Sequence, residues 1–524
     1  MKKIAYILTL FIGSFLTTSC VNDLNQFPHA DETSSSVYTT AANYKSVLGK
    51  IYTSLVTTGQ EKGGGNSDMS SNSGQDYMRC FFNLQECGTD EVASTWLSGD
   101  KVSDLTYLSW DANDPWVSDM YYRIYYNIAL CNEFLRNATD EKISGFTETE
   151  QKDIRTYRAE VRFMRALFYY HALDFFRNIP FVDETSPVGV GIPPRYTAAQ
   201  IFAFIESELN GIDNELLSKN ECEYGRASKG AAYTLLAKLY LNAKVYINQE
   251  KYSECIAACQ KAIAQGYTIE AEYQKLFNAD NDKRTNEIIF SLPVDAVHTV
   301  SWGSTTYIIC GEVSNTSETQ KPADYGVKSP WAMFRVRGEI PALFDANDGR
   351  GMFFTEGQTQ YLDKIDDQAN GYLVEKWTNL TDAGEIASNT ADGGVNTDYP
   401  MFRLADVYLM LAEAVVRGGT GSSKSIALGY INELRQRAFG NDSGTIKESE
   451  MSKEFILDER ARELYWESTR RTDLIRYGMF TTVDYLWQWK GGTKDGKAVD
   501  NKYNIYPIPA TELTANPNLY NENY

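Results

Sequence analysis

Histidine chemistry is nearly closed to this chain. Its 524 residues hold only His29, His171 and His298, too few and too scattered for a histidine-rich zinc site. Cysteine offers little more. With Cys20 set apart, Cys80, Cys87, Cys131, Cys222, Cys255, Cys259 and Cys310 remain. An odd set is no disulfide framework, and a core of this size needs none. Cys255 and Cys259 lie one helical turn apart in CIAAC with no histidine near, so they read as small buried apolar residues. Carboxylates number 70, and at that density pairs spaced for glycoside hydrolysis arise by chance. The run DERARELYWESTRR, from Asp458, alternates acids and bases. That spacing suits a helix with local ion pairs at three and four residues. No Gly-rich phosphate loop, nucleophile elbow or zinc motif is present.

Aromatic residues carry the remaining possibilities. Large aromatics are mostly buried, so sequence context decides which rings are free. Trp302 in SWGSTTY and Trp331 in KSPWAMF stand beside Gly, Ser or Pro rather than on a periodic face, the setting of a binding loop. Trp487 and Trp489 alternate strand-fashion in YLWQWK and read as structural. Rings on loops suit a ligand with flat C–H faces and a fringe of hydroxyls, with a few polar groups to fix its orientation. A neutral glycan is such a ligand. Arg79, in DYMRCFFN, stands where it can pair with Asp76 or Glu86.

Charge narrows the partners. The net charge of -20 excludes nucleic acid, whose backbone demands a basic footprint. It also disfavours electrostatic attachment to anionic lipid and is compatible with a neutral glycan. The membrane contact is expected from the leader instead. Lys2 and Lys3 precede an apolar run at 4–16, then Thr17, Thr18 and Ser19 lead to Cys20. This is a secretory signal, shorter than the ~20 apolar residues of a spanning helix. Cleavage before Cys20 removes residues 1–19, hence two lysines and no acid, and moves the charge from -20 to -22. A cysteine at the first mature position accepts diacylglycerol and a further acyl chain, and two or more chains anchor stably. Position 17 is Thr where a strict lipoprotein box has Leu.

These residues must be positioned by helices. Apolar residues recur at helical spacing in DPWVSDMYYRIYYNIALCNEFLRNA from Asp114, which opens on an Asp-Pro start signal, and in TYRAEVRFMRALFYYHALDFFRNIPFV. ASKGAAYTLLAKLYLNAKVY and KYSECIAACQKAIAQGY form a tetratricopeptide-like hairpin, and FRLADVYLMLAEAVVRGG with SIALGYINELRQRAFG forms another late in the chain. At least three hairpins predict a curved helical scaffold. Between 278 and 396 the texture changes to Gly, Ser, Asn and Asp loops with short runs, EIIFSLPV and TTYIICGEV, that read as strands. The expected fold is mainly α, one domain over 20–524. Its scaffold covers about 37–277 and 400–480, with a loop-rich ligand-binding insert at about 278–399.

Several stretches resemble the SusD/RagB family of outer-membrane lipoproteins. They are AEVRFMRALFYYHALDFFRNIPFV, GRASKGAAYTLLAKLYLNA, FRLADVYLMLAEAV, ERARELYWESTRRTDLIRYGMF and the terminal YPIPATELTANPNLYNENY. MFTTVDYLWQWKGG and WGSTTYIICG bring the chain close to the family's starch-binding members. The resemblance implies four tetratricopeptide-like units supporting a variable region. It implies a lipid anchor at Cys20 and a place on the outer face of the outer membrane. There the protein would be a non-enzymatic lid that delivers oligosaccharides to a SusC-like TonB-dependent transporter. It assigns glycan contact to Trp302, Trp331, Trp96 and Arg79. Ser94 stands where the starch binders carry another tryptophan, and Gly99 where they carry an asparagine, with Asp100 able to supply the lost polar contact. Asp280, Asp282 and Asp398 match a calcium site, for which three carboxylates with carbonyls suffice, although Asn396 replaces an acid there. No cofactor is required by this reading beyond a possible structural calcium. Alternatives are a binder of another glycan such as fructan or xylan, a surface glycosidase, and a helical scaffold that binds only protein and buries Trp302 and Trp331.

Overall fold

Local start signals set the helices. The computed structural model describes residues 34–69, 75–387 and 393–524; Cys20 and the leader lie outside them. Thr40 caps α1 (Ala41–Thr53), and Asp76 caps α2 (Tyr77–Glu86). A two-residue strand, β1 (Ala93–Ser94), follows. Asp114 then opens α3 (Pro115–Asn137), accepting from the backbone N–H groups of Trp116 and Val117 with proline at the first helical position. A capping box of Thr147 and Glu150 starts α4 (Glu148–Phe176), earlier than the apolar pattern alone marks it. α5 (Ala198–Gly211), α6 (Lys229–Leu241) and α7 (Tyr252–Ile263) complete the first half. α3 packs on α4, α4 on α5, and α6 on α7 as the expected hairpin. Cys255 and Cys259 are buried on α7, as their spacing predicts.

The insert leaves and rejoins the scaffold through one antiparallel pair. β2 (Ile288–Leu292), from EIIFSLPV, lies beside a strand at Tyr399–Arg403, with Ile288 opposite Arg403 and Leu292 opposite Tyr399. TTYIICGEV departs from expectation: it is a helix, α8 (Ser304–Glu312), not a strand. Its β-branched residues suit either state, and all nine are buried, so packing against α2 and Phe334 decides the outcome. β3 (Phe334–Arg335) follows, and Tyr399–Arg403 is β4.

α9 (Leu404–Val416) and α10 (Lys424–Phe439) form the late hairpin, and α9 docks on α6 and α7, so the two hairpins stack. One continuous cluster of buried apolar side chains runs through all the helices named so far, from Tyr44 to Leu519, while Ala93 of β1 joins a small separate cluster with Leu362 and Ile365.

The charge-laced helix also differs from its sequence reading. α11 (Lys453–Leu464) is no solvated face: Glu459, Arg460 and Glu463 are buried. One local pair, Arg462 with Glu459, is present. The others are tertiary. Glu463 meets Arg350 and Arg403 at 3.1 Å each and Arg437 at 2.5 Å. Arg460 bridges Asp406 and Asp473, both at 2.7 Å. Arg476, on α12 (Arg470–Arg476), grips Glu413 with two bonds of 2.7 Å. Buried charges of this kind persist only when paired and hydrogen-bonded. They lock α9, α10, α11 and the insert together.

Candidate functional site

β1 and β3 assemble the site. Ala93 lies opposite Arg335 and Ser94 opposite Phe334. Thr95 extends the pairing, its N–H donating to the Met333 carbonyl at 2.8 Å and its hydroxyl to that of Ala332 at 3.0 Å. This brings Trp96 onto Trp331, ring centroids 6.5 Å apart at 28°. Trp302 closes the other flank, 6.3 Å from Trp331 at 55°. Three tryptophans from remote segments thus form one row. Trp96 and Trp302 are 38% and 39% exposed, with Trp331 half-buried between them. A wall of this kind can stack on flat apolar faces.

The backbone around the row is held tightly. A Cβ on Gly303 would meet the Asp76 carboxylate at 2.0 Å, so only glycine fits. Asp76 accepts from the Arg79 N–H at 2.8 Å and from the Ser301 hydroxyl at 2.5 Å, fixing the start of α2 against the Trp302 turn. The Trp302 indole N–H donates to the Gly63 carbonyl at 3.0 Å. Ser304 and Ala332 hold positive φ, 48° and 53°, each costing about 1–3 kcal/mol of strain. Both adjoin the row.

Arg79 lies beneath the row, not in front of it. It is 5% exposed. Its guanidinium donates to the Trp302 carbonyl at 2.6 Å, pairs with Asp100 at 2.5 Å and sits 4.0 Å over the Tyr307 ring. The Tyr307 hydroxyl is 3.0 Å from Asp100 and 2.9 Å from Asn83, and its ring lies 6.2 Å from Trp331. Burial raises the Asp100 carboxyl above its ordinary range, against the Arg79 charge and the Tyr307 hydrogen bond. Asp100 therefore faces Arg79 and Tyr307. Sequence reasoning missed Tyr307 and Asn83; the only signal was their place in the motifs SWGSTTY and DYMRCFFN that also carry Trp302 and Arg79.

Ser94 is fully buried, its hydroxyl accepting from the Trp96 N–H at 3.1 Å. A side chain at Gly99 would meet open space. Trp487 is buried, as expected, but YLWQWK is not a strand: Trp489 sits in a turn at φ 67°, half-buried. His171 is a core residue, its Nδ1 2.6 Å from the Tyr77 hydroxyl, and burial lowers it to about 3.

Of the three carboxylates matched to calcium, Asp280 and Asp398 have protein partners. Asp280 pairs with Lys283 at 2.8 Å and accepts from the Asp382 N–H at 2.8 Å. Asp398 is buried and accepts from the Tyr224 hydroxyl at 2.6 Å and the Val294 N–H at 2.7 Å. Burial raises its carboxyl to about 7, with the charges of Asp282 and Asp295 adding to the effect. Among the described residues no group of three or more acids, histidines or cysteines is arranged to hold a metal ion.

The chain is similar to known proteins over its whole length. Residues 354–524 match the profile described as SusD family, and residues 29–241 match one described as starch-binding associating with outer membrane. The starch-binding protein SusD of Bacteroides thetaiotaomicron is 33% identical, with both chains covered in full. The chain belongs to the SusD family. SusD-like protein P25 of Formosa agariphila is 27% identical over 80% of each chain. Among solved structures, a SusD superfamily protein of Bacteroides vulgatus superposes with a TM-score of 0.71 at 20% identity, covering 93% of this chain and 99% of its own. Surface glycan-binding protein A of Bacteroides thetaiotaomicron, solved with laminarihexaose, gives a TM-score of 0.70 at 18% identity, covering 93% and 100%. The helical hairpins described above are thus the SusD fold.

Proposed function

We propose that this SusD-family protein is a non-catalytic glycan-binding lipoprotein. It is anchored through Cys20 to the outer membrane, faces outward, and passes neutral oligosaccharides to a SusC-like TonB-dependent transporter. The observation that carries the reading is the row Trp96–Trp331–Trp302, held open by the strand pair β1–β3. The ligand best supported is an α-glucan, because the full-length relative is a starch-binding protein. A β-glucan is the second reading, favoured by the neighbour solved with laminarihexaose. In this site Arg79 and Asp100 position the rings from below, and the rings meet the sugar.

Isothermal titration with maltoheptaose, laminarihexaose, inulin and xylan tests it. Trp331→Ala removes the central ring. At an anchor this costs ~2 kcal/mol or more, about thirtyfold in affinity, with the circular dichroism spectrum unchanged. Binding of the β-glucan, inulin or xylan with none of maltoheptaose would keep the role and overturn the starch reading.

A further inference from the structure

A second aromatic cleft lies away from the tryptophan row. It opens between the short helix Ser103–Tyr107 and the turn that follows Trp489, with a volume of about 580 Å³. Tyr107 and Trp489 are half-buried in its wall, ring centroids 6.5 Å apart at 49°. Ser109, Lys497 and Asp500 are exposed around it, one hydroxyl and one charge of each sign. Gly491 and Gly492 add backbone without side chains.

The cleft shares the construction of the tryptophan row. Leu108 and Trp489 both hold positive φ, 53° and 67°, and a bulky aromatic there is a conformational outlier. Surrounding contacts hold the ring in place. The Trp489 indole N–H donates to the Leu362 carbonyl at 3.0 Å. The next residue, Lys490, is caged by the carbonyls of Met479, Thr482 and Tyr485 at 3.2, 2.8 and 2.8 Å. Leu97, the neighbour of Trp96, packs into the same small apolar cluster as Tyr107 and Trp489, so the two sites share a wall segment.

We propose that this cleft is a second carbohydrate-binding site for the same class of neutral glycan. Inclined, partly exposed rings, balanced charge and bare backbone suit a sugar face with hydroxyls at its edge, and the acidic chain disfavours an anion. The inference rests on the glycan-binding reading above. Two sites on one chain let a polymer engage both, raising avidity without new contacts, whereas a short oligosaccharide fills one.

The test uses the full chain, Trp489→Gly, Trp331→Ala and the double variant, in affinity electrophoresis on amylopectin, laminarin, inulin and xylan. Glycine removes the ring and accepts the positive φ; Tyr107→Ala repeats the test without substituting a residue of the turn. Trp489→Gly and Tyr107→Ala should weaken polymer retention about tenfold and leave titration of maltoheptaose or laminarihexaose at the tryptophan row unchanged. The double variant should lose the residual retention left in Trp331→Ala. Unchanged polymer retention in both Trp489→Gly and Tyr107→Ala overturns the second site while leaving the first. A wild type retained on none of the four polymers overturns both.

Discussion

Arg79→Leu separates a positioning role from ligand contact. The wild-type guanidinium makes one bond to the Trp302 carbonyl, one ion pair with Asp100 and one face contact with Tyr307. Leucine fills part of the space and supplies none of these. Removing one partner of a buried ion pair costs about 3–5 kcal/mol. Asp100 keeps its contact with Tyr307, and burial already raises its carboxyl, so the lower end, about 3 kcal/mol, is expected in urea denaturation. Glycan affinity should fall as well, because the Trp302 turn loses its support. The loss is bounded by what the Trp302 ring contributes, ~2 kcal/mol or about thirtyfold. Arg79→Lys restores a charge for Asp100 without spanning to the Trp302 carbonyl, so it should recover stability more than affinity. The decisive assay is a titration cycle with Trp302→Ala. If Arg79 acts through Trp302, the double variant binds no more weakly than Trp302→Ala alone. Fully additive losses, or wild-type affinity in Arg79→Leu, would refute the reasoning.

Glu463→Ala withdraws the carboxylate shared by Arg350, Arg403 and Arg437 and should cost about 3–5 kcal/mol; a loss below 1 kcal/mol would mean the lattice contributes little. Stability should also peak near pH 5. Burial alone would raise Glu413, Glu459 and Glu463, but the facing guanidiniums hold each at about 2 against an ordinary 4.5. Their contribution, about 3 kcal/mol each, is complete above pH 4.5 and is lost as pH falls toward 2. Burial raises Asp114 to about 7 and moves Glu91 the same way, so their contribution is full below about pH 4 and fades as pH rises through 7. A urea midpoint climbing from pH 5 to 8 would contradict this. Cys20→Ala should release the protein into the soluble fraction without altering its melting curve; retention in the outer membrane would exclude the acyl tether.

The long helices were legible because their signals are local. Asp114-Pro115, the apolar spacing of α4, and the paired segments of α6–α7 and α9–α10 need no knowledge of the rest of the chain. Trp302 and Trp331 were legible for the opposite reason, as large rings where no periodic face claims them. What escaped depends on tertiary contact. TTYIICGEV is β-branched enough for a strand, and only burial on every side makes it a helix. The alternation in α11 looks the same whether the partners are one turn away or on α9, α10 and the insert. Arg79 carries its charge in sequence, but nothing local says that Asp100 and the Trp302 carbonyl turn it inward. Trp489 was misplaced because YLWQWK alternates like a strand, while Lys490 and the glycines after it bend it into a turn.

The β2–β4 pair makes the insert a candidate for transplantation. Because its two ends are neighbouring strands, about 5 Å apart across the ladder, a foreign segment could be spliced there without stretching the scaffold. Such a graft would replace Trp302 and Trp331 but leave this scaffold's Trp96 in place, so a transplanted specificity would be only partly that of the donor. It would also have to bring equivalents of Arg350 and Lys376, which reach out of the insert to Glu459, Glu463 and Glu467. A donor lacking those two cations would leave three buried carboxylates short of partners, whatever sugar its own loops recognise.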